Sequence, residues 1–109
     1  MFQIAQKETY LAPVTVEMPG VKVKQSFDAE FRRLSQAEIK TLYEKARASE
    51  IDDAQFCREI VVGWNGIKDA HGEVEFSHVA LDSLLEIYPL ASSIVQAFNT
   101  SIEGSRAKN

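Results

Sequence analysis

Apolar and polar positions alternate for eleven residues from Val21. Val21, Val23, Gln25, Phe27, Ala29 and Phe31 fall on one face, and Lys22, Lys24, Ser26, Asp28, Glu30 and Arg32 on the other. A period of two with one wet face predicts a half-buried antiparallel strand. The run before it, Tyr10–Glu17, is rich in β-branched and apolar residues. Between them stands Met18-Pro19-Gly20-Val21. Proline presets φ at the second turn position, and glycine accepts the positive φ of the third. The two runs therefore predict a β-hairpin over about 10–33. Pro13 has no amide proton for a ladder, so it belongs at an edge or a bulge.

The period then changes to that of helices. Ser35-Gln36-Ala37-Glu38 has the form of a capping box, with Leu34 and Ile39 placed as a hydrophobic staple. Ile39, Leu42, Tyr43 and Ala46 make one apolar stripe. A second helix is expected from Asp52-Asp53, whose charges suit an N-terminal dipole. Its stripe is Phe56, Cys57, Ile60 and Val61, and Gly63 is expected to end it as a left-handed cap. An acidic loop follows. Ser77 can cap a third helix bearing Ala80, Leu81, Leu84, Leu85 and Tyr88. Pro89 would break a helix interior, so it is expected to open a fourth helix. That helix carries Leu90, Ile94, Ala97, Phe98 and Ile102 and stops at Gly104, leaving five residues expected to be mobile. The expected fold class is α+β: an N-terminal hairpin followed by about four α-helices over 35–104, in one domain spanning 1–109.

Composition narrows the function classes. A hydrophobic fraction of 45% and a charged fraction of 26% are ordinary for a globule. The formal charge is −4. Nucleic-acid affinity rests on clustered Lys and Arg that neutralise phosphates, and here only Lys22/Lys24 and Arg32/Arg33 sit close together. A nucleic-acid partner is therefore not expected. The single cysteine, Cys57, cannot form an intramolecular disulfide, which suits a reducing cytoplasm. No signal peptide or membrane span is expected, because no apolar run is long enough.

Candidate chemistry is thin. Residues 67–78 can be aligned to a calcium loop with Gly72 at its sixth position. Ile67 and His78 then stand where a carboxylate and a bidentate Glu are required. A turn in which Asp69 bonds nearby amides and Gly72 takes positive φ explains the segment better. Cys57, His71 and His78 lack the spacing of a zinc site. On an apolar stripe, Cys57 reads as a buried thiol rather than a nucleophile. Asp52/Asp53 and Glu73/Glu75 read as solvated acids, with no polar partners to form an acid–base pocket. No cofactor, metal or catalytic residue is expected. Trp64, the only tryptophan, is open to two readings: a core residue pinning the loop, or a partner anchor.

The segment Trp64-Asn65-Gly66-Ile67-Lys68-Asp69-Ala70-His71-Gly72-Glu73-Val74-Glu75-Phe76-Ser77, followed by Leu84-Leu85 and Pro89, resembles the tail assembly chaperones of long-tailed, non-contractile bacteriophages. The resemblance covers about the last fifty residues well and the first fifty in outline. It implies a protein of the host bacterial cytoplasm, not an enzyme, that holds the long helical tape measure protein soluble. Such proteins leave as tail tube subunits polymerise, and they are absent from the virion. Many have a longer form made by ribosomal frameshifting, whose extra domain recruits tube protein. This chain would be the short form. Two surfaces are expected to bind partners. Leu85, Tyr88 and Ile94 would form a groove for a client helix, unless they are simply core, and Trp64 is a candidate anchor beside it. The strand bearing Val21, Val23, Phe27 and Phe31 stands beside a proline-limited partner, which would leave pairing groups open for self-association into a homo-oligomer, and its apolar face must lie on the helices or on another subunit. A small phage-encoded regulator or adaptor that binds a host protein is the alternative reading.

Overall fold

The structure, a computed structural model, describes residues 1–104. The tail expected after Gly104 lies outside the described residues. The described chain is α+β. Strands β1 (Thr9–Val16) and β2 (Gln25–Arg32) form the N-terminal hairpin. Helices α1 (Gln36–Arg47) and α2 (Asp53–Ile60) follow. Strand β3 (Val61–Asn65) comes next, then a two-stranded ribbon of β4 (Lys68–Asp69) and β5 (Gly72–Glu73). Helices α3 (His78–Leu85) and α4 (Leu90–Glu103) complete the element order.

The main sheet has order β1-β2-β3 and is antiparallel throughout. β1 alternates, with Ala12, Val14 and Val16 buried and Leu11, Pro13 and Thr15 exposed. Pro13 lies on this edge strand, where its missing amide proton costs least. The hairpin turn forms at the expected place. Val21 N donates to Met18 O at 3.1 Å, and Gly20 has φ +79°. The alternation overstates β2, however. The strand begins only at Gln25, and Val21 and Val23 are exposed in the connecting loop.

β3 corrects the expected end of α2. The stripe Phe56, Cys57, Ile60, Val61 fits a helix, yet the chain leaves the helix at Ile60 and pairs Val61–Asn65 with β2. Two β-branched residues in a row and an aromatic suit the strand, and burial between β2 and the helices decides the case. Gly63 is therefore not a cap. It lies opposite Glu30, whose carboxylate occupies the space that a Cβ would need. That carboxylate accepts a hydrogen bond from Thr9 Oγ1 at 2.7 Å. The register slips at Glu30/Phe31, which makes a β-bulge at Val62.

The helix starts follow local chemistry. Ser35 Oγ accepts from Glu38 N while Glu38 Oε1 accepts from Ser35 N, at 3.1 and 2.9 Å. That bonding holds the exposed Glu38 carboxyl below its usual pKa, the Ser35 backbone bond being the largest cause. Asp52 and Gln55 form a second capping box. α1 ends in a Schellman arrangement with Ser49 at φ +59°, where glycine is usual. Pro89 is the residue before α4 rather than its first, and Gly104 caps α4 with φ +58°.

The core lies between the inner face of the sheet and α1, α2 and α4. Edge-to-face aromatic contacts run through it: Tyr10–Phe31, Phe31–Phe98, Phe98–Phe56 and Phe56–Tyr43. Burying each phenylalanine contributes roughly 1.5–3 kcal/mol. The polar tips are paired. Tyr10 and Ser101 hydroxyls lie 2.8 Å apart, and the Tyr43 hydroxyl donates to Asn99 Oδ1. Burial pushes the Tyr43 hydroxyl up to about 12. Among the described residues, no buried side-chain N or O atom lacks a partner.

Candidate partner-binding surface

The segment from Trp64 to Ser77 builds one wall of the candidate surface. Its ribbon closes through Lys68↔Glu73 and Asp69↔Gly72. Asp69 Oδ1 accepts from His71 N at 2.7 Å, and Gly72 has φ +116°. The loop is thus a tight Asx-supported turn. No group of three or more metal-ligating side chains gathers among the described residues. Cys57 is fully buried, its thiol donating to Ala91 O at 3.4 Å, and burial above all pushes its pKa up to about 12. Burial thus favours the neutral thiol.

Trp64 is 9% exposed. Its indole N–H donates to Val74 O at 2.8 Å, and its ring meets Phe76 edge-on with centroids 4.9 Å apart. The side chain therefore staples β3 to the segment leading into α3. Of its two readings the geometry places it in the core cluster.

The other expected site residues separate in the same way. Ile94 is buried in the core and Leu85 is half-buried. Tyr88, by contrast, is 76% exposed. Tyr88, Leu85, Ile87, Pro89, Leu90 and Ala91 line a shallow hollow of about 310 Å³ at the α3–α4 corner. On the sheet side, Phe31 is fully buried against Phe98, so it is not part of any open face. Phe27 is half-buried and lines a second hollow of about 230 Å³. That hollow opens at the Val16–Gln25 end of the hairpin, and Met18, Ile67, Leu84, Ile87 and Leu90 complete its apolar walls. Ile87 and Leu90 belong to both hollows. Asp53, Glu86 and Ser92 also line the first hollow, so its walls mix polar and apolar groups.

Ile87 and the two hollows were missed in the sequence. The usable signal was Ile87-Tyr88 placed beyond the last turn of α3, where an apolar pair has no helix stripe to join.

A family model described as phage tail assembly chaperone matches residues 1–109. The chain belongs to that family. No curated protein and no solved structure matches it significantly. Among the described residues, no helix is long and apolar enough to cross a membrane.

Proposed function

We propose that this tail assembly chaperone binds the tape measure protein in the host cytoplasm and keeps it soluble while the tail tube assembles. It does not remain in the finished virion. The observation that carries this reading is the exposed apolar corner around Ile87 and Tyr88, next to the half-buried Leu85. A long client helix would lay its apolar face there in a helix-in-groove mode. Leu85, Ile87 and Tyr88 are the binding residues. Ile94 supports the floor from below, and Trp64 holds the neighbouring loop in place. A longer frameshifted form would bring tail tube protein to the same complex through its added domain. The role is binding, not catalysis.

Co-expression with a tape measure fragment tests the reading. The expected result is a complex that survives a high-salt wash, because apolar contact is not screened as exposed charge pairs are. Tyr88→Ser combined with Ile87→Ser is expected to abolish it without changing the melting temperature. A complex that the double variant retains, or that dissociates in salt, overturns the proposed surface.

A further inference from the structure

We propose that the client segment seated at the α3–α4 corner is a basic amphipathic helix, with a Lys or Arg one helical turn from its apolar anchor. This rests on the client reading above and states which helices the hollow selects. The hollow of about 310 Å³ at that corner carries two exposed carboxylates, Asp53 and Glu86, beside Leu85, Ile87 and Tyr88. Among the described residues, neither acid pairs with a cation. Asp82, on the same helix α3, differs: Arg58 Nε holds its carboxylate at 2.8 Å.

Glu86 stands where a helix wants the opposite charge. It is the C-cap of α3, and the last turn of that helix has no basic residue. The carbonyl end of a helix is negative, so a cation is stabilised there and a carboxylate is not. An incoming ammonium or guanidinium meets both the side chain and the helix end. Two helix N-termini also contribute to the hollow: α2 through Asp53, and α4 through Ala91 and Ser92. Each brings roughly half a positive charge, against the two full negative charges of Asp53 and Glu86 and the half charge of the α3 end. The local field is therefore negative. The Tyr88 ring works in the same direction. It is largely exposed, and no cation lies over it among the described residues. Arg33 makes that contact with Tyr10 elsewhere in the chain, at 4.9 Å from the ring centroid. Positions three or four apart share one face of a helix, so an apolar anchor and a cation on one client helix reach the hollow together. The stem of a Lys or Arg can lie along Leu85 and Ile87 while its head meets the acids.

Apolar contact holds such a complex and the acids steer it, so their effect is read in the association rate. The test passes overlapping peptides of the tape measure chain over the immobilised protein. Captured peptides are expected to carry Lys or Arg three or four positions from a large apolar residue. With one captured peptide, Asp53→Asn combined with Glu86→Gln is expected to slow association roughly tenfold at low salt, and the difference is expected to vanish at high salt. Glu86→Gln alone, at an exposed helix end, is expected to give part of that slowing with the melting temperature unchanged. Glu86→Lys is expected to slow association more than Glu86→Gln does. Captured peptides that are acidic or uncharged beside the anchor overturn this inference and leave the client reading standing. So does a folded Glu86→Lys variant that associates at the wild-type rate at low salt. A wild type that captures no peptide overturns the client reading and this inference together.

Discussion

The two ends of the sheet's inner face are finished differently. At the Thr9 end the aromatic chain closes with paired polar tips: Tyr10 meets Ser101, and the Arg33 guanidinium lies over the Tyr10 ring at 4.9 Å. At the Val16 end, Phe27, Ile87 and Tyr88 run out into solvent with nothing over them. Both ends draw on the same residue types. What separates them is whether a helix crosses the opening. α4 covers the first, while short α3 and the Glu86–Pro89 corner only flank the second. The proposed binding surface is the end that no helix crosses.

Substitutions at each end should break the molecule in different ways. Phe98→Ala removes the ring at the centre of the aromatic chain and is expected to cost about 3–5 kcal/mol, measured by urea denaturation. Trp64→Ala is expected to cost about 3 kcal/mol by the same measurement, because the indole is both packed and hydrogen-bonded. A small change there would return Trp64 to the role of a partner anchor. Ser49→Gly relieves the left-handed backbone at the end of α1, with an expected gain of about 0.5–1 kcal/mol in thermal stability. Tyr88→Ser sits at the open end and is expected to leave stability within about 0.5 kcal/mol. Its effect should appear instead as a loss of client binding in pull-downs. If Tyr88→Ser unfolds the chain as Phe98→Ala does, the distinction between the two ends fails.

Much of this architecture could be read from the residues. The Ser35–Glu38 box and the stripe Ile39, Leu42, Tyr43 and Ala46 announce α1 because caps and periodicity are local signals. The Pro19-Gly20 turn is equally local. β3 was hidden because Phe56, Cys57, Ile60 and Val61 satisfy helical spacing, and only pairing with β2 turns Val61 outward from the helix. The same non-local cause misassigned Gly63, whose missing side chain answers to Glu30 rather than to a helix end. For the site, an apolar stripe cannot distinguish its buried members from its exposed ones. Ile94 and Tyr88 look alike in sequence, yet one faces the sheet and the other faces water. The alternation that marked Phe31 as an open face was right about the face. Of the two covers expected for it, the helices or another subunit, α4 takes Phe31.

The position of Trp64 gives the molecule a built-in optical gauge. It is the only tryptophan, so the emission of the whole chain comes chiefly from one place. Its ring is shielded from solvent and its N–H is tied to Val74. Fluorescence should therefore be blue-shifted in the folded chain and move red when the ribbon detaches from β3. Because Ile67 and Lys68 of the same segment line the hollow beneath Phe27, an occupant entering there presses on the element that the indole reads. Seating of a partner can then be followed in real time on the unlabelled protein.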